Sequence, residues 1–201
     1  MKTTIFIALT ILIISCSKDE TLNGNGSSTI EINYFDWNPD TLVIDSILID
    51  LQSDGVNDIK FLIEKDYQGL SPSGGPYYNY FARCLSINPN LRVSLGTELN
   101  PSQQDWNCLK FNDLISNNLT WNSSFILNGQ VIYAGAIGVW DTNDTEGFIG
   151  TKLESNGQTN FGWIKINVNS NSFIDKRFEI MCFEYAISET NNVTINAGQT
   201  E

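Results

Sequence analysis

The sequence contains no histidine among its 201 residues. Histidine is the usual general base of serine and cysteine hydrolases and a frequent zinc ligand, so those mechanisms are excluded in their usual form. Positive charge is also scarce: 11 lysines and arginines stand against 23 aspartates and glutamates, and the formal net charge is −12. Such a surface repels phosphate backbones, and we expect no nucleic-acid partner. Carboxylate chemistry and a function without catalysis both remain open.

No apolar run is long enough to cross a membrane as a helix, which takes about 20 residues. The longest run, residues 5–14, follows Lys2 and ends just before Ser15-Cys16. A charged start, a short apolar stretch and a small residue at the end form the layout of a signal peptide. The sequence Ile13-Ile14-Ser15-Cys16 resembles the lipobox of bacterial lipoproteins. In that family the cysteine is acylated and becomes the first residue of the mature chain. The alternative is a signal peptide with an incidental cysteine.

The residues after the cysteine predict the location of the protein. Ser17-Lys18-Asp19-Glu20 resembles the acidic export signal of surface lipoproteins in the Bacteroidetes group, although a charged linker is an alternative. Residues 21–29 are rich in Asn, Gly, Ser and Thr and are typical of a flexible tether. We therefore expect a signal peptide at 1–15, a lipidated tether at 16–29 and one folded domain at 30–201. The expected location is the outer membrane, with the lipid-anchored domain exposed at the cell surface.

Alternation with a period of two dominates the rest of the chain, as in Ile30, Ile32 and Tyr34. Many such segments are separated by Asn, Gly, Ser and Asp, which predicts an all-β, antiparallel β-sandwich or jelly-roll-like domain. Asn128-Gly129 and Asn156-Gly157 predict hairpin turns. Residues 109–115 are a candidate short helix.

Three cysteines remain once Cys16 is assigned to the anchor. Cys182 lies among apolar residues in Ile180-Met181-Cys182-Phe183, which is typical of a small buried side chain. Cys84 and Cys108 lie near predicted loops, so we expect these two to form a disulfide outside the cytoplasm and Cys182 to stay reduced.

The segment from Asp50 to Asp58 has the order of a calcium-binding loop. Oxygen-bearing side chains occupy positions one, three and five, and Gly55 occupies position six, where a sharp turn is needed. The predicted calcium ligands are Asp50, Gln52, Asp54, the Val56 carbonyl and Asp58. Position twelve is Phe61, and the context is strand-loop-strand, so an EF-hand is excluded. The alternative is a hairpin in which Asp54-Gly55 only makes the turn.

The loop resembles the Asp-rich stretch DLDGDGxNDF of a family of uncharacterised extracellular bacterial proteins. That family also carries an IG strand, a YGW strand, a YAY-like strand and a final I-x-AG. The matching segments here are Phe148-Ile149-Gly150, Phe161-Gly162-Trp163-Ile164, Phe183-Glu184-Tyr185-Ala186 and Ile195-Asn196-Ala197-Gly198. The order agrees from Ile47 to Gln199, although Asn160-Phe161 stands where the family often has His-Tyr. The resemblance implies a β fold and a calcium loop, and no particular reaction.

Two tryptophans in polar segments, Trp106 and Trp121, are candidates for stacking against a glycan, with burial in the core as the alternative. The acidic segment 141–146 is a candidate second cation site or an ordinary solvated loop. We expect a surface-anchored lipoprotein with a calcium-stabilised, non-catalytic binding or structural domain, whose ligand is a glycan or a protein. The alternative is a carboxylate-dependent glycan hydrolase on a lectin-like sandwich. Its candidate carboxylates are Glu146, Glu154, Glu179 and Glu184.

Overall fold

The structure is a computed structural model that describes residues 30–43, 45–96, 98–100, 105–106, 108–131, 135–138, 146–171 and 177–201. The predicted signal peptide and tether, including Cys16, lie outside these residues. Within the described residues there are β-strands and no helix. In the same part of the chain, nothing helical has the length and apolar character needed to cross a membrane.

The strands of the first half range in length from two to twelve residues. They are β1 (Ile32–Val43), β2 (Ser46–Ile49), β3 (Ile59–Leu70), β4 (Pro76–Ser86), β5 (Leu91–Ser94), β6 (Glu98–Asn100) and β7 (Asp105–Trp106). Those of the second half are β8 (Leu114–Ile115), β9 (Ser124–Val131), β10 (Gly135–Gly138), β11 (Gly147–Ser155), β12 (Gln158–Asn171), β13 (Arg177–Ser188) and β14 (Ile195–Asn196).

Two five-stranded antiparallel sheets make up most of the described fold. The first sheet has the order β1-β13-β12-β11-β5, and the second has the order β10-β9-β4-β3-β2. Two small pairs, β14-β8 and β6-β7, accompany them. The all-β, antiparallel fold class predicted from alternation is confirmed.

The main core lies between the inner faces of the two sheets. Alternate residues of β12, Ile164 and Ile166, point inward and meet Phe61 of β3 and Leu127 of β9 in one buried cluster. This face-to-face packing is that of a β-sandwich, in which one side of each strand is apolar.

A second apolar cluster lies on the opposite, outer face of the first sheet. It is centred on Phe161 and Trp163 of β12, and it is covered by segments that carry β8 and β14. The Trp163 indole nitrogen donates a hydrogen bond to the Gln199 carbonyl at 2.9 Å, which fixes the C-terminal segment over the sheet. The other buried members are Leu109, Ile115, Phe148, Ala186, Ile195 and Ala197.

The two predicted Asn-Gly turns have different outcomes. Asn156 and Gly157 have φ values of 52° and 77° and join β11 to β12, as a type I′ turn requires. The prediction for Asn128-Gly129 is wrong, because both residues lie inside β9 between β4 and β10. The helix considered for residues 109–115 is also wrong, since Leu114 and Ile115 form β8 against β14.

The predicted disulfide between Cys84 and Cys108 is not formed in the structure, in which Cys84, Cys108 and Cys182 are all free thiols. Cys84 lies near the end of β4, where it is paired with Phe61 of β3 and Phe125 of β9, and it points into the core between the sheets. Cys108 lies just before the bridge between Leu109 and Phe148, and its sulfur accepts a hydrogen bond from Lys110 Nζ at 3.3 Å. The sequence placed both cysteines near loops, whereas the long β4 strand buries the first of them.

Candidate functional site: the acidic loop and the aromatic cluster

The segment predicted to bind calcium joins β2 to β3, which pair from Ser46 to Ile49 on one side and from Ile59 to Leu62 on the other. The loop wraps around the carboxylate of Asp50. That carboxylate accepts hydrogen bonds from the backbone amides of Gln52, Asp54 and Gly55 at 3.2, 3.2 and 2.7 Å. Gly55 has a φ of 85°, so the glycine at position six makes the sharp turn expected there.

The exposed tip of the loop is closed by Asp54. Its carboxylate accepts a hydrogen bond from the Val56 amide at 2.8 Å, and both side chains are exposed. Gln52 is exposed as well. The tip therefore presents one carboxylate and one amide side chain to solvent.

Asp58 closes the base of the loop and is only 2 % exposed. Its carboxylate accepts hydrogen bonds from the Leu51 amide at 2.9 Å and from Asn88 Nδ2 at 2.7 Å. Burial raises the pKa of Asp58, these two hydrogen bonds oppose the rise, and the charges of Asp50 and Asp54 add to it. The three carboxylates of the predicted site are thus near enough to interact.

The carboxylates do not converge on one point. Asp50 and Asp54 accept backbone amides, and Asp58 turns toward Leu51 and Asn88. Throughout the described ranges there is no group of three or more His, Cys, Asp or Glu side chains arranged to hold a metal ion. The loop thus has the glycine turn and the carboxylates of the predicted site. Those carboxylates accept hydrogen bonds from groups of the protein itself.

Three aromatic residues pack together where β1 meets β13, and we call Phe35, Trp37 and Tyr185 the aromatic cluster. The Phe35 ring stacks on Tyr185 with centroids 5.2 Å apart, and Trp37 lies 5.5 Å from Phe35 and 5.1 Å from Tyr185. Phe35 is 44 % exposed, Trp37 is half-buried and Tyr185 is buried. The cluster therefore has a buried base and an exposed aromatic edge.

Tyr185 connects the aromatic cluster to the loop. Its hydroxyl donates a hydrogen bond to the Asp50 carbonyl at 3.0 Å, so a strand of the first sheet is tied to a loop of the second. Burial raises the pKa of Tyr185, the charge of Asp50 raises it further, and a hydrogen bond with Ser53 opposes the rise. The phenol is consequently held in its protonated, donating form.

The two predicted glycan-stacking tryptophans have separate outcomes. Trp121 is half-buried, packs against the second apolar cluster with its ring 6.0 Å from Phe161, and donates from its indole nitrogen to the Ser116 carbonyl at 3.2 Å. Trp121 therefore contributes to packing, and its stacking against a glycan stays a prediction. Trp106 lies in β7, and its side chain falls outside the described part of the chain.

Of the four glutamates considered for glycoside hydrolysis, Glu146 and Glu184 come together around Lys165. The ammonium nitrogen lies 2.8 Å from Glu146 and 3.4 Å from Glu184. Although burial lowers the pKa of Lys165, the two carboxylates outweigh it and the pKa is raised. Tyr34 donates a hydrogen bond to Glu184 at 2.6 Å, which raises the Tyr34 pKa to about 12.

The other carboxylates considered lie elsewhere. Glu154 forms an ion pair with Lys152 at 2.6 Å, and Glu179 lies in β13. Residues 141–145 of the acidic segment are outside the described residues, so only Glu146 of that segment can be placed.

The aromatic cluster is the feature that sequence reasoning missed. Phe35 and Trp37 alternate with Asp36, which is the same signal that identified the other strands. The rings of both residues face the inner side of β1 with Tyr185, because Phe35 and Tyr185 are register partners. Their position next to the loop depends on the pairing of the first and last long strands, which no local pattern reveals.

No protein-family profile matches this chain, and neither a curated protein nor a solved structure is significantly similar to it.

Proposed function

We propose that this chain is a lipoprotein of the bacterial outer membrane, anchored through Cys16 and exposed at the cell surface, whose sandwich is a non-catalytic binding module. The observation that supports a binding role is the exposed Phe35 ring stacked on Tyr185, whose hydroxyl is hydrogen-bonded to the carboxylate-bearing loop. The anchor is supported by the sequence around Cys16.

A glycan suits the chemistry of this surface. The faces of sugar rings carry C–H groups that pack against aromatic rings, while their hydroxyl groups donate hydrogen bonds to carboxylates. Phe35 supplies an exposed ring, and Asp54 supplies an exposed carboxylate in the loop beside the aromatic cluster. The net charge of −12 disfavours polyphosphate ligands in the same place.

We also propose that calcium stiffens the loop of residues 50–58. Asp50, Gln52, Asp54, the Val56 carbonyl and Asp58 would supply the oxygen ligands that calcium prefers. Binding would require Asp58 to turn from Leu51 toward the loop centre, because its carboxylate now accepts the Leu51 amide. In return the cation would relieve the mutual repulsion of Asp50, Asp54 and Asp58.

A glycan array probed with the full chain tests the binding role. We expect retention of at least one class of glycan by the wild type and at least a tenfold loss of affinity for Phe35→Ala, which corresponds to about 1.4 kcal/mol. Phe111→Ala is the matched control, because Phe111 is also exposed and lies away from the aromatic cluster, next to Gly198. Absence of glycan binding by the wild type, or equal losses in both variants, would contradict the proposal and favour a protein ligand.

Glycoside hydrolysis is the second candidate, and the observation in its favour is that Glu146 and Glu184 share Lys165. Glycosidases need two carboxyl groups about 5 to 9.5 Å apart on either side of the scissile bond. The Lys165 ammonium forms ion pairs with both carboxylates and occupies the space between them, where the scissile bond would have to lie. Shortened products from a bound glycan, lost in Glu184→Gln, would favour hydrolysis over simple binding.

A further inference from the structure

Two buried thiols belong to opposite sheets of the sandwich. Cys84 lies in β4 of the second sheet, and Cys182 lies in β13 of the first sheet. Both side chains are completely buried and belong to the core cluster between the sheets. Each therefore points from its own strand toward the opposite sheet.

The two strands also come close together. Strands β4 and β13 approach to within 8 Å, measured between Cα atoms, although they belong to different sheets. Cys84 and Cys182 thus lie in one core cluster on two strands that contact each other across the sandwich. Burial raises the pKa of Cys84, and the charge of Cys182 adds to the rise, as expected for two thiols in the same part of the core. Disulfides usually join residues with Cα atoms about 4.4 to 6.8 Å apart, and the contact between β4 and β13 brings parts of the two strands near this range.

We propose that Cys84 and Cys182 form a disulfide that joins the two sheets when the protein folds outside the cytoplasm. This inference rests on the proposed location, because an oxidising compartment is where such bonds persist. It replaces the expectation that Cys84 pairs with Cys108 and that Cys182 stays reduced. Cys108 is held beside Lys110 near the edge of the core.

The bond forms by exchange with a small-molecule disulfide such as oxidised glutathione. The thiolate of one cysteine attacks a glutathione sulfur and releases one glutathione, which leaves a mixed disulfide. The thiolate of the other cysteine then attacks the protein sulfur of that mixed disulfide and releases the second glutathione. The two protein thiols lose two electrons and two protons, and one glutathione disulfide becomes two glutathione thiols.

The burial of both cysteines sets the order of events. Burial raises the pKa of Cys84 and raises that of Cys182 to about 12, so neither is a ready nucleophile after the sheets have closed. Oxidation therefore takes place while the sheets assemble. A chain that folds fully reduced should keep its Cys84 and Cys182 thiols.

The test is refolding of the full chain, carrying Cys16→Ala so that the anchor cysteine cannot exchange. The chain is unfolded with denaturant and reductant, refolded in a glutathione redox buffer, alkylated and digested for mass spectrometry. We expect a linked pair of peptides containing Cys84 and Cys182, alkylated Cys108, and a higher urea midpoint that reductant removes. Chain already folded under reducing conditions and then given oxidised glutathione should react at least tenfold more slowly.

Cys108→Ala is the control variant, and it should still form the bond, whereas Cys84→Ala and Cys182→Ala should not. A link between Cys84 and Cys108, a link between Cys108 and Cys182, or three alkylated cysteines after refolding would overturn the proposal. Refolding in solution does not depend on export, so failure here is distinct from failure of the proposed surface location. Wild-type chain alkylated directly after extraction from membranes then shows whether the bond is present in the cell.

Discussion

Asp58 shows how a single side chain can serve the fold and a binding loop at once. Its carboxylate satisfies two donors at the base of the loop, and it is buried while the charges of Asp50 and Asp54 lie close to it. A buried carboxylate without a neutralising cation favours its protonated form. The protonation state of Asp58 therefore depends on whether the loop contains a cation.

The raised pKa of Asp58 predicts a specific pH dependence when calcium is chelated. The folded-state pKa exceeds the ordinary value of 3.8. The protonated Asp58 side chain thus makes its full contribution to the stability of the folded state below pH 3.8. This contribution is lost as the pH rises through the folded-state pKa. In Asp58→Asn this loss should be absent, whereas the variant should be less stable overall by about 1 to 3 kcal/mol because one buried donor loses its acceptor. Urea unfolding at a series of pH values measures both effects.

The comparison with the wild type isolates Asp58 from the other carboxylates. Asp50, Asp54 and Tyr185 face the same region and are present in both proteins, so only the difference between the two curves belongs to Asp58. Parallel curves for wild type and Asp58→Asn would show that burial of this carboxylate has no effect on its proton affinity in the folded state.

At the scale of strands and turns, the alternation of apolar residues predicted the strands well. The two Asn-Gly pairs predicted one turn correctly and one wrongly. Asn156-Gly157 lies between two strands that pair only with each other at that point, so its turn preference is decisive. Asn128-Gly129 has the same preference, but β9 is bonded to β4 and β10 on its two sides. Hydrogen bonds to two neighbouring strands outweigh a turn propensity, and a local pattern contains no information about them.

The glycines of the resembling motifs have a structural explanation at this scale. A Cβ on Gly162 would meet the Thr151 hydroxyl and would lie 2.5 Å from the Ala186 carbonyl oxygen. A Cβ on Gly198 would lie 2.5 Å from the Phe111 ring, at a φ of 82°. Both glycines thus permit close packing around the first sheet and its outer cluster. Tyr185 of the aromatic cluster also belongs to one of these segments, whereas Phe35 and Trp37 lie outside them.

The loop between β2 and β3 is the element on which calcium should act. Asp54→Asn removes one charge but keeps the oxygen that accepts the Val56 amide, so the turn is preserved. We expect excess calcium to raise the melting temperature of the wild type and not that of Asp54→Asn. At calcium a hundredfold above its dissociation constant the gain is about 2.7 kcal/mol, and melting rises by roughly 2 to 4 °C per kcal/mol in a domain of this size.

Asp40→Asn is the matched control for that experiment, because Asp40 is an exposed aspartate of β1 outside the loop. It should respond to calcium like the wild type. Calorimetry in calcium, in magnesium and in chelator distinguishes a specific cation from general screening of the acidic surface. If the wild type melts at one temperature in all three, the loop is a hairpin turn without a cation.

At the scale of the whole molecule, the sandwich explains why apolar residues recur along the strands. Each strand of the first sheet presents one apolar face to the second sheet, and β12 presents a second apolar face to the segments with β8 and β14. The alternation that predicted a sandwich could not distinguish these two apolar layers, because Trp163 and Ile164 are both buried on opposite sides. The topology alone determines which strands are neighbours. It therefore also determines where Tyr185 contacts the loop.

The attachment of the whole molecule to a membrane is predicted to depend on Cys16. A single acyl chain holds a protein only marginally, at about 0.8 kcal/mol per buried methylene, whereas the three chains of a bacterial lipoprotein anchor bind firmly. Cys16→Ser removes the thiol that these chains require, and its hydroxyl does not replace that thiol in the processing reaction. Cys108→Ala is the control, since it removes a cysteine that lies in the core cluster.

We expect the wild type and Cys108→Ala to fractionate with the outer membrane, to enter the detergent phase and to be degraded by protease added to intact cells. Cys16→Ser should instead remain at its full unprocessed mass or be released as soluble protein. Intact-mass measurement of each fraction distinguishes these two fates, because an uncleaved chain retains residues 1–15. Recovery of Cys16→Ser in the outer membrane at the processed mass would show that the domain reaches and holds that membrane by another route.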